Sequence, residues 1–101
     1  MTGSQLIELE RHRQISELGW TPEYDSKYEE DDALMEAAGA YLMASYGNED
    51  FVDMASYCWP WPDYPFSPSD KVRNLVKAGA LIAAQIDLLQ SQKEFNNADD
   101  A

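Results

Sequence analysis

At 101 residues the chain is long enough for one small domain, which can bury roughly 60 to 70% of the surface that its unfolded form exposes. Its 19 acidic residues against 7 basic ones give a formal charge of −12, which disfavours nucleic acid and anionic membranes as partners and favours basic protein surfaces or cations. One cysteine, Cys58, and one histidine, His12, exclude an intramolecular disulfide, a multi-cysteine zinc site and a histidine-rich metal site.

The longest uninterrupted apolar run, Ala78 to Ala84, has seven residues, far fewer than the roughly 18 needed to span a membrane. The N-terminal stretch MTGSQLIELERHR lacks the basic start and apolar segment of a secretory signal. A soluble, cytoplasmic protein is expected. The charge is unevenly placed: residues 23 to 63 hold eleven acids and one base, so they carry 1 − 11 = −10 of the total. Residues 1 to 22 give 2 − 3 = −1 and residues 64 to 101 give 4 − 5 = −1.

The first helical periodicity covers residues 4–18, with Leu6, Leu9 and Ile15 near one face, Ile7 and Leu18 beside it, and Gly19 as a stop. The stretch GWTPEYDSKYEEDD reads as an ordered connection, in which Trp20, Tyr24 and Tyr28 are large enough to plug gaps between helices. Asp31 or Asp32 is placed to cap a second helix over 32–46, which Gly47 ends. The small residues Ala37 to Ala40 are expected to cross the Ala78 to Ala84 part of the last helix closely. Between them, NEDFVDMASYC reads as a short helical turn, and WPWPDYPFSP must be extended because each proline lacks an amide proton and restricts its neighbour.

The clearest helix is 68–92. Val72, Leu75, Val76, Ile82, Ala83, Ile86 and Leu89, with Gly79 between them, follow the spacing of one buried face, and Leu81 and Leu88 widen it. Ser67 is the expected cap and Pro68 the first helical residue. The polar tail 93–101 is expected to fray. The fold expectation is therefore a single all-α domain over 1–101, three helices with an extended aromatic and proline-rich connection packed on them.

Three constellations bear on function. The acidic residues Glu29, Glu30, Asp31, Asp32 and Glu36, with Glu49, Asp50 and Asp53 as a second patch, form either a solvated face or a surface for a basic partner. Asp25, Glu29, Asp32 and Glu36, spaced four, three and four, would share one helix face and could hold a hard cation, although no facing set of carboxylates is evident. Tyr57, Trp59, Trp61, Tyr64 and Phe66 are either a recognition surface or rings that complete a small core. Cys58, between Tyr57 and Trp59, reads as a buried small hydrophobe. No Gly-rich phosphate loop is present.

The motifs RHRQISELGWTPEYD, ALMEAAGAYL, WPW before a proline-rich turn, and LVKAGALIAAQIDLL resemble, in that order, a family of small proteins of bacterial viruses that has no assigned activity. The resemblance covers about Glu8 to Leu89 and implies a phage or prophage origin. Members often read Glu-His-Asp-Asp with a second histidine soon after, where this chain has Glu23-Tyr24-Asp25-Ser26 and Tyr28. They commonly read Ala-Glu-Ile, where this chain has Ala84-Gln85-Ile86. If relatives bind a metal through those groups, this chain has lost both histidines and a carboxylate.

The leading functional reading is a small acidic accessory protein, not an enzyme and without a cofactor. It would bind a host protein with a basic surface and inhibit a nucleic-acid-handling or defence machine by imitating a nucleic-acid backbone. Two alternatives are a metal-dependent or degenerate nucleotide-binding protein built on Asp25, Glu29, Asp32 and Glu36, and a structural or assembly subunit whose exposed aromatics make a homodimer.

Overall fold

The computed structural model describes residues 1–19 and 32–100, with side chains up to residue 91. The described residues form four α-helices and no strand: α1 (Gly3–Leu18), α2 (Ala33–Ala44), α3 (Glu49–Cys58) and α4 (Lys71–Asp100). The fold is all-α.

Local sequence accounts for most of the helix ends. Thr2 and Gln5 form a capping box that satisfies the first amides of α1, and Gly19 stops that helix at φ 72°, donating to the Gln14 carbonyl. Gly47, at φ 73°, follows α2. The segment expected to be only a turn is the full helix α3, started by the Asn48 side chain, which accepts from the Asp50 amide at 2.9 Å. Glu49 and Asp50 add negative charge at the positive end of its dipole.

The start of α4 is three residues later than expected. Asp70, not Ser67, is the cap: its Oδ1 accepts the Arg73 amide at 2.9 Å and its carbonyl accepts the Asn74 amide at 2.9 Å. Ser67 to Ser69 are held extended instead, Ser67 between Tyr41 and Lys77 and Ser69 by the buried Asn74 side chain, which bonds both its amide and its carbonyl. At the other end α4 continues to Asp100 rather than stopping at 92, with neither glycine nor proline after that point to break it.

Helix α2 packs antiparallel on α4, with Met35 beside Gln85 at one end and Tyr41 beside Lys77 at the other. The core between them contains Leu34, Ala37, Ala38, Tyr41, Ala78, Leu81, Ala84 and Leu88. Thus the two small-residue stretches do meet. The face that α4 buries, however, differs in its centre from the expected one: Val76 and the flanking Leu81 and Leu88 are buried as expected, but Val72, Leu75, Ile82, Ile86 and Leu89 are exposed. Alanine side chains let two helix axes approach closely, so packing selects the alanine face with Leu81 and Leu88, and the bulkier branched residues are turned outward. Burying Leu34, Leu81 and Leu88 contributes about 1.5–3 kcal/mol each.

Helix α1 lies on a different side of α4 and buries a polar face, Glu10, Arg11 and Gln14, while Leu9, expected inside, is exposed. Ile7 fills the notch left by Gly79, so the close approach at that glycine is to α1 and not to α2. An ion pair at 3.5 Å between Arg11 and Asp87 also joins α1 to α4.

The aromatic connection closes the core. Trp59, Trp61 and Phe66 pack on it, with Tyr41 5.5 Å from Trp59 and 5.0 Å from Phe66 between ring centres. The Trp59 indole N–H donates to the Tyr64 carbonyl at 2.8 Å and holds the bend. Beside it Cys58 is exposed, not buried as expected, because Ala55 is the buried residue of α3.

Candidate functional site

Of the two acidic patches expected as a binding surface, the structure describes Asp32, Glu36, Glu49, Asp50 and Asp53, which are all exposed and form no ion pair among the described residues. Asp25, Glu29, Glu30 and Asp31 lie outside the described residues, so the proposed four-carboxylate face is represented there by Asp32 and Glu36 alone. Of the aromatic set, Trp59, Trp61 and Phe66 belong to the packed interior, whereas Tyr57 is 92% exposed and Tyr64 lies at the surface.

A concavity lined by several elements lies elsewhere. A cleft of about 340 Å³ is lined by Glu10, Arg13, Gln14 and Leu18 from α1, by Tyr41 from α2, by Trp59, Tyr64, Pro65 and Ser67 from the connection, and by Arg73, Lys77 and Leu81 from α4. Among the described residues, three of the chain's seven basic side chains meet there with a single carboxylate, so the described lining carries 3 − 1 = +2 in a chain of −12. Arg73 and Lys77 are four residues apart and share one helix face.

Glu10 organises the cluster. Its buried carboxylate accepts from Arg13 Nε at 2.9 Å and Nη2 at 2.7 Å, and from Arg73 Nη2 across the helix interface. Burial alone would push the Glu10 carboxyl up, but the hydrogen bonds and charges of the two arginines together outweigh it and hold the group below its ordinary value of 4.5. Arg13 is in turn held more firmly protonated by its bond to Glu10. A carboxylate buried without such partners would be strongly destabilising, so the half-buried Arg13 and Arg73 are what make Glu10 stable at this depth.

Glu10 occupies Arg13 far more than Arg73. Of its several N–H donors, Arg73 uses one side-chain donor on Glu10 among the described residues, and Lys77 uses one of its three on the Ser67 carbonyl at 3.0 Å. Lys77 lies 5.2 Å from the centre of the Tyr41 ring. Burial and then the neighbouring Arg73 charge push the lysine down from its ordinary value, and burial pushes the Tyr41 phenol up, which keeps its hydroxyl a donor. Among the described residues the site thus offers uncommitted positive donors beside aromatic and aliphatic walls. Such a set can bind and orient an anion; among the described residues the lining contains no nucleophile paired with a base.

Reading the sequence by segment charge concealed this site, since each terminal segment sums to −1. The available signal was local: Glu10 and Gln14 on one face of the first helix, with Arg13 beside them, and Arg73 and Lys77 at i, i+4 on the last. Among the described residues no helix is long and apolar enough to cross a membrane, and no group of three or more metal-ligating side chains occurs. Comparison with known proteins finds no matching family model, no matching curated protein and no matching solved structure.

Proposed function

We propose that this all-α protein is a binding protein whose cleft takes a small anionic ligand. The observation that carries this reading is the reversal of charge: among the described residues Arg13, Arg73 and Lys77 converge on one carboxylate in a concavity of about 340 Å³, within a chain of net −12. That size falls in the range of small-molecule sites, about 300–1,000 Å³. Arg73 and Lys77 supply the contacts, Tyr41 adds a hydroxyl donor, and Glu10 with Arg13 fixes the Arg73 side chain in place. Calorimetric titration with pyrophosphate at low salt tests it. Binding should weaken about tenfold in Arg73→Gln and in Lys77→Gln, the loss of one charge-assisted hydrogen bond each. Absence of pyrophosphate binding to the unmodified protein would refute the reading.

A second reading is favoured by the exposure of Asp32, Glu36, Glu49, Asp50 and Asp53. These carboxylates suit an electrostatic contact with a basic protein, and the resemblance to phage proteins supports a host target that handles nucleic acid or serves defence. Replacing Glu49, Asp50 and Asp53 together with Lys should slow association with such a target and leave pyrophosphate binding in the cleft unchanged.

A further inference from the structure

Gln14 gives the cleft a second chemical requirement. It is 2% exposed, lines the cleft, and its buried Oε1 has no hydrogen-bond partner among the described residues. Its neighbours in the lining do not supply one: the Trp59 indole donates to Tyr64, Arg13 is turned onto Glu10, and the Tyr41 hydroxyl, whose oxygen accepts from the Ser67 amide, makes no bond to Gln14 Oε1. A buried acceptor without a partner is unfavourable, and buried polar groups are almost always satisfied. A ligand that brings an N–H or O–H to this point satisfies it. The rest of the lining selects the body of that ligand, since Tyr41, Trp59 and Tyr64 are aromatic and Leu18, Pro65 and Leu81 are aliphatic, a surface that suits a flat ring and offers little to a sugar or an inorganic ion.

We infer that the ligand is an anion bearing a heteroaromatic ring with a hydrogen-bond donor on its edge, the chemistry of a nucleoside monophosphate, with the anionic group on Arg73 and Lys77 and the ring donor on Gln14. This deepens the anion-binding reading and rests on it. The class differs from the metal-dependent nucleotide site considered from the sequence, because it uses cations of the protein and none of the carboxylates Asp25, Glu29, Asp32 or Glu36.

The experiment is a calorimetric panel on the full chain: pyrophosphate, ribose 5-phosphate, and the four common ribonucleoside 5′-monophosphates, each also titrated against Gln14→Met. At least one nucleotide should bind about tenfold or more tightly than ribose 5-phosphate, the advantage of a ring that fills the walls and pairs the amide. In Gln14→Met, which keeps the volume and removes the acceptor, that preference should shrink while pyrophosphate affinity stays the same. If pyrophosphate binds but no nucleotide exceeds ribose 5-phosphate, the ring inference fails and the anion reading stands. If nothing binds, both fail. Should Gln14→Met not fold, the panel on the unmodified protein still decides between these outcomes. A nucleotide preference that a folded Gln14→Met retains in full would overturn the assignment of Gln14.

Discussion

The side-chain oxygen of Gln85 accepts the backbone amide proton of Met35 at 3.1 Å, so α4 caps the first turn of a helix that lies fifty residues earlier in the chain. Asp32, at the cap position of α2, makes no side-chain hydrogen bond to that turn. A buried glutamine therefore does from across the core what a local Ser or Asp ordinarily does. Replacing it with leucine should lower stability by about 1–2 kcal/mol, measured by urea unfolding, and should loosen amide exchange at the start of α2 before that of α4. Unchanged exchange at Met35 would show that the cap is not needed.

Adjacent residues of α4 should differ sharply in their response to truncation. Leu81 is 1% exposed and Ile82 is 47% exposed. Leu81→Ala should cost about 2–5 kcal/mol, whereas Ile82→Ala should cost less than about 1 kcal/mol. Equal costs would mean that the outward face is covered in solution.

Gly79 makes a reciprocal prediction with Ile7. A Cβ at position 79 would lie 2.6 Å from Ile7 Cδ1 and 2.9 Å from Cγ1. Gly79→Leu should therefore destabilise by about 1–3 kcal/mol, and adding Ile7→Ala should recover part of the loss, giving a non-zero coupling in a double-mutant cycle. Strict additivity would place the two residues apart.

The pH dependence follows from Glu10. Its carboxyl is held below the ordinary 4.5 in the folded protein, so below that value the unfolded chain takes up this proton before the folded one does. The stabilisation is fully present above the unfolded value and is lost as pH falls through the lowered folded value. A melting temperature followed from pH 7 downward should drop below about 4.5, and Glu10→Gln should reduce that dependence while lowering stability at pH 7.

How much was legible depended on which physical signal each residue carries. Gly19 and Gly47 announced two helix stops, and the small residues at 37–40 and 78–84 announced a close crossing, because backbone sterics are local and strong. The buried face of α4 was not legible from hydrophobicity: Ile82 and Ile86 are as apolar as Leu81 and Leu88, and the choice between them is made by the shape of α2. The cleft was least visible, since Glu10 and Arg73 meet across 63 residues and a charge pair in sequence looks the same whether solvated or buried. Gln85 too reads as one polar residue among apolar ones until Met35 is placed beside it.

The reversal of sign at the cleft also acts on the rate at which anything reaches it. At low ionic strength, where charges are felt over about 30 Å, an approaching anion meets the repulsion of the whole −12 chain before it meets Arg73 and Lys77. At physiological salt that reach shrinks to about 8 Å, so the outer repulsion fades sooner than the contact attraction inside. Moderate salt should then speed association even as it lengthens no residence time, the reverse of ordinary electrostatic steering. A polyanion, by contrast, cannot withdraw its remaining charges from the acidic exterior when one of them reaches the cleft. On the anion-binding reading proposed above, the fold would work as a sorting device that admits a small anion and turns away a nucleic acid carrying the same phosphate.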